Sequence, residues 1–298
     1  MVEENSPKSR YQHKVGSEKK LKTPSTKKKS AKRSQSKRNI TSEKKSPVVT
    51  TPVKKTPQKF ILPDRALLTS DKKNFKWYEG DIKEGMANGE GIQYFKDGKR
   101  FEGAFKDNLW DGKGAFYRRN GKMLSKGLYK DNFLEKGKIY NTLGHVEKKG
   151  YFDGSIENKL NGFGILYDKD CKIVYEGYWC DGKKEGRGCE HAKTAKYEGN
   201  WQNNMKSNYG ELTYNNGDWY KGNFKNNMFC GDGNYFYFEK NEMYKGEWLE
   251  GKKNGNGLMA TLGTNEKYKG EFFNDQREGN GTYYYPDGDI YSGEWDKD

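Results

Sequence analysis

A phrase of aromatic residues and glycines recurs along most of this chain and limits what it can fold into. Its form is aromatic-x-Gly-x-aromatic, with Gly-x-Gly later in the copy; residues 175–188 read YEGYWCDGKKEGRG. The first glycine of each successive copy lies at position 80, 103, 127, 150, 177, 199, 222, 246, 270 or 293. A period of about 23 residues is typical of a repeat protein, in which each unit packs against its neighbours.

The copies keep this phrase to different degrees. Five are clean, and their leading rings are Tyr175, Tyr197, Tyr220, Tyr244 and Tyr268. The second of these has Asn208 in place of its first late glycine. The copies at 125 and 148 are eroded, because Ser125 and Lys148 replace the leading ring. Whether residues 133–162 merely bend the array or split it in two stays open at this point.

Each copy begins with the alternation of a β-strand. Tyr244, Gly246 and Trp248 are two positions apart and share one face, whereas Lys245 and Glu247 face water on the other. The glycine between the rings lacks a side chain and so opens a slot. We expect a ring of the neighbouring hairpin to lie in that slot.

Turn residues separate these strands. Gly251 suits a tight turn that needs positive φ, and Gly255-x-Gly257 begins the returning strand. Further turns are predicted at Lys96-Asp97-Gly98, Asn215-Asn216-Gly217 and Pro286-Asp287-Gly288. The chain should therefore form successive hairpins in a one-layer sheet, in which glycines make room for aromatic rings.

These residues resemble the MORN (membrane occupation and recognition nexus) repeat family. The resemblance covers residues 75–298, with nine copies and a tenth that stops at Trp295. It implies an all-β fold: an elongated single-layer antiparallel sheet of about nine to ten consecutive hairpins, with a ring-lined groove. It also implies a scaffold or membrane-apposition role in cilia, the cytoskeleton or junctions. Some family members carry a lipid-kinase or methyltransferase domain, for which no room remains beside these repeats.

The repeats define three segments of the chain. Residues 1–59 are predicted to be a disordered basic tail, residues 60–74 an N-terminal cap, and residues 75–298 the repeat array, eroded around 125–162. The cap is suggested by two apolar runs, Phe60-Ile61-Leu62 and Ala66-Leu67-Leu68, which would protect the first edge strand. With strands about 4.8 Å apart, the array would be roughly 90 Å long.

All the net positive charge lies in the tail. Residues 1–60 carry 18 Lys and Arg against 4 acids, whereas the remainder carries 38 of each sign. The tail is rich in Lys, Ser, Thr and Pro and has too few apolar residues to offset the entropy lost on folding. A flexible segment of charge +14 binds polyanions by counterion release. The acidic surface of microtubules, anionic lipid and nucleic acid are all candidate partners.

The tail also contains candidate regulatory sequences. Five Ser/Thr-Pro steps are candidate phosphorylation sites for proline-directed kinases, at Ser6, Thr23, Ser46, Thr51 and Thr56. The same steps arise by chance in a tail of this composition. A nuclear localisation signal could be formed by Lys27-Lys28-Lys29 together with Lys32-Arg33. Nucleic acid is the less favoured candidate, because the tail lacks interleaved aromatic residues and a folded domain that would recognise nucleic acid.

The sequence offers no catalytic, metal or cofactor site. Its four cysteines, Cys171, Cys180, Cys189 and Cys230, show no metal-ligand spacing. Cys189-Glu190-His191 is interpreted as a pair of surface residues, because neighbours on a strand point to opposite faces. The Gly-x-Gly steps lack the Lys-Ser/Thr of a nucleotide loop. We therefore expect a protein that is not an enzyme and takes no cofactor.

The leading and trailing rings of the clean copies are the candidate partner-binding residues. They are first of all the core of a thin sheet, but a continuous apolar strip also marks a partner site. An extended or helical peptide along the groove would be the natural ligand. The predicted groove residues are Tyr175, Trp179, Tyr197, Trp201, Tyr220, Phe224, Tyr244, Trp248, Tyr268 and Phe272.

Two functions follow from these features. The first is a non-catalytic scaffold of a cytoskeletal structure, the ciliary or flagellar axoneme above all, with a protein partner in the groove and the tail on tubulin or another axonemal protein. The axoneme rests on resemblance to radial-spoke and other ciliary MORN proteins. The alternative is a peripheral membrane module that binds anionic phospholipid. The first thirty residues contain no apolar run typical of a secretory signal, which favours the cytoplasm.

Overall fold

The computed structural model describes residues 59–60 and 74–297. Its described part contains a two-residue strand followed by nineteen strands of six to ten residues. The strands are β1 (Lys59–Phe60), β2 (Phe75–Lys83), β3 (Met86–Phe95), β4 (Arg100–Lys106), β5 (Leu109–Tyr117), β6 (Met123–Lys130), β7 (Phe133–Tyr140), β8 (Val146–Phe152), β9 (Leu160–Tyr167), β10 (Ile173–Cys180), β11 (Lys183–His191), β12 (Ala195–Gln202), β13 (Met205–Tyr214), β14 (Trp219–Lys225), β15 (Met228–Tyr237), β16 (Glu242–Leu249), β17 (Lys252–Thr261), β18 (Lys267–Phe273), β19 (Gln276–Tyr284) and β20 (Ile290–Trp295).

Every strand pairs antiparallel with the strand that follows it in the chain. The result is one open sheet of nine hairpins, β2–β3 to β18–β19, and the first strand of a tenth. The predicted all-β, single-layer antiparallel fold is confirmed. Pairing continues through β7, β8 and β9, so residues 133–162 do not split the sheet.

A row of paired glycines crosses the whole sheet and sets its register. Gly177 pairs with Gly188, which pairs with Gly199 on the next strand, and so on. Each strand from β2 to β20 contributes one member: Gly80, Gly91, Gly103, Gly114, Gly127, Gly137, Gly150, Gly164, Gly177, Gly188, Gly199, Gly210, Gly222, Gly233, Gly246, Gly257, Gly270, Gly281 and Gly293. The eroded copies keep this row, which explains why the sheet stays continuous there.

In the clean copies the leading tyrosine lies over the glycine row. A Cβ atom added to Gly177 or Gly188 would overlap the Tyr175 ring, which folds along its own strand and covers both positions. The prediction that this ring would come from the neighbouring hairpin was wrong, because the ring belongs to the same strand as the first glycine that it covers. The Tyr175 hydroxyl donates to the carbonyl oxygen of Tyr178 at 3.2 Å, and Tyr197 makes the equivalent bond at 2.9 Å.

The tight turns fasten each hairpin to the preceding one. Asn203 and Asn204 both have positive φ, 50° and 69°, which a two-residue hairpin turn requires. Asn204 Oδ1 accepts the Lys184 backbone N–H at 2.7 Å, and the Asn204 N–H donates to the Lys184 carbonyl at 3.0 Å. We call this two-way bond the turn latch. The same side-chain bond recurs at Asn108, Asn132, Asn227 and Asp275.

The first part of the chain lies mostly outside the described residues. The tail, with its five candidate phosphorylation sites, and the two apolar runs of the cap remain predictions. Strand β1 is described, and it pairs Lys59 with Glu79 and Phe60 with Tyr78 at the edge of β2. Within the described part, no helix is long and apolar enough to cross a membrane.

Candidate interaction site on the aromatic face

The face that carries Tyr175 and Trp179, here called the aromatic face, holds a continuous ladder of rings in the clean copies. Trp201 meets Tyr175 and Tyr197 edge-on, with ring centroids 5.5 and 5.2 Å apart. Its indole N–H donates to the Gly188 carbonyl at 3.4 Å. Each trailing ring therefore joins its own leading tyrosine to the tyrosine of the copy before, in the edge-to-face geometry that aromatic pairs prefer.

The ten predicted groove residues are the core of the sheet. None of them exposes more than 8% of its surface, and Tyr175, Tyr220 and Tyr244 are fully buried. Burial raises the pKa of the leading tyrosines above the ordinary phenol value, because the charged phenolate would lose its water. Buried rings offer little surface to a ligand, so their role in partner binding remains a prediction.

A second layer of side chains covers these rings. It comes from the position two residues after each tight turn, which alternation places on the aromatic face. Trp110 stacks on Phe101 with centroids 4.1 Å apart, and Phe229 stacks on Tyr220 at 3.8 Å. The sequence interpretation missed this row. Its signal was a position occupied by Ala87, Trp110, Leu134, Leu160, Lys184, Lys206, Phe229, Lys253 and Arg277 in successive copies.

Cations take this covering position in most of the clean copies. Lys184 Nζ lies 4.8 Å from the Tyr175 ring centroid and 4.4 Å from that of Trp201. Lys184 also forms an ion pair with Glu190, and Lys206 approaches the same carboxylate at 3.8 Å. Burial lowers the pKa of Lys253, which lies 5.7 Å from the Tyr244 ring. The clean part of the aromatic face is therefore covered by charges that already have partners.

The first eroded copy opens a recess in the aromatic face. Ser125 stands where the other copies have a ring, and its Oγ lies 2.8 Å from the Tyr129 hydroxyl. The atoms nearest to a Cβ placed on Gly127 or Gly137 are backbone atoms of the paired strand, not a ring. A recess of about 700 Å³ lies beside Ser125 and extends to Asn74 and Asp97 of the first copy.

Apolar side chains line this recess and polar groups surround it. Trp110, Phe116, Tyr129 and Leu134 are among its walls, with Leu124, Phe133 and Ile156 nearer the opening. Ile156 is 77% exposed. Asn74, Asp97, Lys99, Asn108, Asp131, Asn132, Ser155 and Asn158 contribute polar groups. An apolar interior with a polar border is the usual make-up of a binding pocket.

The opposite face, here called the polar face, places Cys189 beside His191. Cys189 Sγ lies 3.3 Å from His191 Nε2. The interpretation that these residues point to opposite faces was wrong, because positions two apart on a strand share a face. Burial raises the pKa of the Cys189 thiol, and the nearby Lys196 opposes that rise.

Comparison with protein families follows the same repeat pattern. A model of the MORN repeat matches residues 78–100, 101–123, 175–193, 197–219, 220–238, 244–260 and 268–290. The chain is a MORN repeat protein. The MORN repeat is a non-enzymatic module of interaction or scaffolding, associated with protein or membrane binding. Both eroded copies fall between the second and third MORN matches.

Two solved structures that align with most of this chain add nothing to the MORN assignment. A streptogramin B lyase aligns at 10% identity over 77% of this chain and 90% of its own, with a TM-score of 0.15. Virginiamycin B lyase from Staphylococcus aureus aligns at 10% identity over 70% and 84%, also with a TM-score of 0.15. Such scores do not indicate a shared fold, so neither lyase bears on this chain.

Proposed function

We propose that this MORN repeat protein is a non-catalytic scaffold that holds a segment of a partner protein on its aromatic face, with the recess at Ser125 as the anchor point. The recess carries the proposal because it is a depression beside fully packed neighbours. An inserted aromatic or aliphatic side chain would contact Trp110, Phe116 and Leu134 in place of the missing ring. A buried anchor of this kind supplies much of the energy in protein interfaces.

The border of the recess favours a peptide as the ligand. Asn74, Asn158 and Ser155 can bond to the main chain of an extended segment or of a helix end. Asp97 and Asp131 contribute negative charge close to Lys99, so the border is not uniformly basic. A lipid surface with anionic head groups would therefore fit this part of the aromatic face poorly.

Charge placed at the opening of the recess tests the proposal. Ile156→Asp alters a side chain that is 77% exposed, and Leu143→Asp is a matched control at a residue 64% exposed that does not line the recess. A photo-crosslinking residue in place of Phe133 would capture the bound segment in ciliated cells. We expect Ile156→Asp, but not Leu143→Asp, to abolish the crosslink. Equal crosslinking by both variants would contradict the role of the recess.

The cellular setting that we propose is the cytoskeleton, in the axoneme of a cilium or flagellum, with the tail bound to acidic tubulin surfaces. Support comes from the contrast between a tail of charge +14 and an array without net charge. A fluorescently tagged protein expressed in ciliated cells should enter the cilium. Diffuse cytosolic signal with empty cilia would reject the axonemal setting while leaving the recess proposal intact.

Phosphorylation of the tail would then weaken the tether. Each phosphate adds about −1.5 to −2 charges, so five would bring the tail from +14 to about +4 to +6.5. Replacing Ser6, Thr23, Ser46, Thr51 and Thr56 with Glu lowers the tail charge only to about +9. We expect a partial loss of microtubule co-sedimentation that grows with salt. Equal binding at low and high salt would show that the tail is not the tether.

Binding of anionic phospholipid is a second candidate, favoured by one feature of the polar face. Lys221, Lys245 and Lys269 border a depression of about 990 Å³ above the glycine row, together with Asp232. Liposome sedimentation of the full chain against residues 55–298 would separate the contributions of tail and array. Lipid-specific binding by residues 55–298, lost on changing the three lysines to Gln, would favour this function over the scaffold.

A further inference from the structure

Three side chains of different chemistry converge on the polar face of strands β10 and β11. The Glu176 carboxylate, the Cys189 thiol and the His191 imidazole each offer one donor atom, and these atoms all lie within 4.8 Å of one another. We propose that Glu176, Cys189 and His191 form a binding site for a divalent transition-metal ion, with Zn²⁺ as the expected ion.

The spacing of the donor atoms suits tetrahedral zinc. His191 Nε2 lies 3.3 Å from Cys189 Sγ and 3.8 Å from Glu176 Oε1. With Zn–S near 2.3 Å and Zn–N or Zn–O near 2.0 to 2.1 Å, tetrahedral ligand atoms lie about 3.3 to 3.6 Å apart. The third pair of donors, Cys189 Sγ and a Glu176 carboxylate oxygen, lies within 4.8 Å, so the carboxylate would move toward the thiol to share one ion. Water would complete the fourth position.

The sheet register holds the ligands in place. Glu176 and Cys189 are directly opposite on paired strands, and His191 is two residues further along the same strand as Cys189. The imidazole and the Glu176 carboxylate are about two-fifths exposed, so an ion can reach them from solvent. Paired strands fix the backbone of all three ligands before the metal arrives, which reduces the cost of ordering them.

Charges of both signs surround the site, with Arg187 on the same face of β11 two residues before Cys189. Lys196 lies opposite His191 on β12, but its Nζ is 3.4 Å from Glu198, the residue opposite Cys189. Glu190, between the two ligands in sequence, faces the aromatic side and is paired with Lys184. Zn²⁺ bound by one thiolate and one carboxylate would be neutral overall.

This set of ligands departs from the repeat pattern. The glutamate recurs in the next clean copy, but none of the four later clean copies has Cys or His at the other two positions. The corresponding sets are Glu198, Glu211 and Thr213; Lys221, Asn234 and Phe236; Lys245, Leu258 and Ala260; and Lys269, Thr282 and Tyr284. Stacking and sheet formation therefore do not require Cys or His at these positions. Among the described residues, this is the one set of three His, Cys, Asp or Glu side chains with convergent donor atoms.

Binding must displace a proton. A metal binds the thiolate and not the thiol, so the Zn–S bond forms as the S–H bond breaks and the proton leaves to solvent. Zinc affinity should consequently rise with pH across the neutral range.

Zinc titration of the reduced, chelator-treated full chain tests the site. We expect binding of about one ion with release of about one proton, and a thiolate-to-metal charge-transfer band when Co²⁺ replaces Zn²⁺. Cys189→Ser should abolish that band, and His191→Gln and Glu176→Gln should each weaken zinc binding, because each removes a direct ligand. Cys180→Ser removes an exposed thiol from the same strand β10 and should leave the affinity unchanged.

Two results would overturn the proposal. One is the absence of zinc binding by the wild-type chain at micromolar concentrations. The other is equal affinity of the wild type and Cys189→Ser, which would place the metal elsewhere. Amide circular dichroism of each variant shows that the sheet is intact, since the three ligands contribute nothing to the aromatic core.

Discussion

The clean copies at residues 175–295 and the eroded copies at residues 125–162 build the same sheet from different cores. In the clean copies each leading tyrosine covers two glycines and joins two trailing rings. In the eroded copies Leu134, Phe152 and Leu160 are buried instead. Strand pairing and the glycine row are nevertheless continuous across both regions.

This difference shows that the glycines and the rings of the repeat phrase have separate roles. The glycines keep the paired backbones close, and this function survives without the rings. The rings supply buried area and ring contacts, and the recess lies beside Ser125, where one ring is absent. Arg118 fastens the eroded region at its other edge, where the guanidinium donates to the carbonyls of Met123 and Tyr140, both at 2.7 Å. Continuity and stability therefore depend on different residues.

Alkaline pH should affect the clean region most. Burial raises the pKa of Tyr175, Tyr197, Tyr220 and Tyr244, so the folded state favours the neutral phenol. Their contribution to stability is complete below about pH 10 and is lost as pH rises above it. Each buried tyrosine lowers the free energy of unfolding by about 1.4 kcal/mol per pH unit there, or roughly 5 kcal/mol for four.

Urea unfolding between about pH 9 and pH 12 measures this loss. The eroded region holds one comparable group, Tyr129, whose pKa burial raises to about 12. Tyr220→Phe should remove about 1.4 kcal/mol per pH unit of this dependence, and the position accepts phenylalanine, since Phe101 occupies it in an earlier copy. Tyrosines that ionise near pH 10 while the sheet stays intact would refute the burial argument.

Truncating a ring in the clean region should lower the free energy of unfolding more than truncating an aliphatic side chain in the eroded region. Trp201→Ala removes contacts with Tyr175 and Tyr197 and should lower the free energy of unfolding by about 3 to 5 kcal/mol. Leu134→Ala should cost about 2 to 3 kcal/mol. Because each repeat contacts its neighbours alone, proteolysis of Trp201→Ala should cut near residues 190–225. Uniform digestion of the array would contradict local unfolding.

Losing the turn latch should lower the free energy of unfolding by the same amount in both regions, because the latch does not depend on the rings. Asn204→Ala and Asn132→Ala each lose a side-chain bond, at 2.7 and 2.9 Å, and place alanine at positive φ. We expect either change to lower the free energy of unfolding by about 1 to 2 kcal/mol, as measured by chemical denaturation. Asn204→Asp is the control and should be nearly neutral, since Asp275 makes the same bond to Lys253. A much larger loss at Asn204 than at Asn132 would tie the latch to the rings.

The smallest effect concerns the tyrosine hydroxyl. Tyr197→Phe removes the bond to the Asn200 carbonyl at 2.9 Å but keeps the ring, so we expect a loss of about 0.5 to 1.5 kcal/mol. Tyr151, in the eroded region, is 43% exposed, and its change to Phe should have almost no effect on thermal stability. If Tyr197→Phe and Tyr151→Phe lowered stability equally, burial would not determine how much a tyrosine hydroxyl contributes to stability.

Local features of the fold were predictable from sequence. Alternation placed Tyr244 and Trp248 on one buried face, and the turn at Gly251 has the positive φ expected of it, 85°. The origin of the ring over each glycine was not predictable, because it depends on how far a tyrosine side chain folds along its own strand. The turn latch joins residues some 20 positions apart and likewise depends on the pairing between repeats.

The candidate sites were harder to find, because they arise from departures from the pattern. Ser125 was recognised as a missing ring, but the recess also needs the Trp110 and Leu134 side chains around the gap. Cys189 and His191 could have been paired from strand alternation alone, since they are two residues apart. Their alignment with Glu176 required the register between β10 and β11.

The turn latch also has a mechanical consequence. Pulling the two ends of the sheet apart would load the hydrogen bonds between strands one pair after another, which is the weakest way to load a sheet. A latch such as Asn204 on Lys184 spans the joint between hairpins and shares that load with the strand pairing. Rupture would then proceed in steps of one repeat, each absorbing work. A scaffold built this way would yield gradually under tension and could re-form from the repeats that remain.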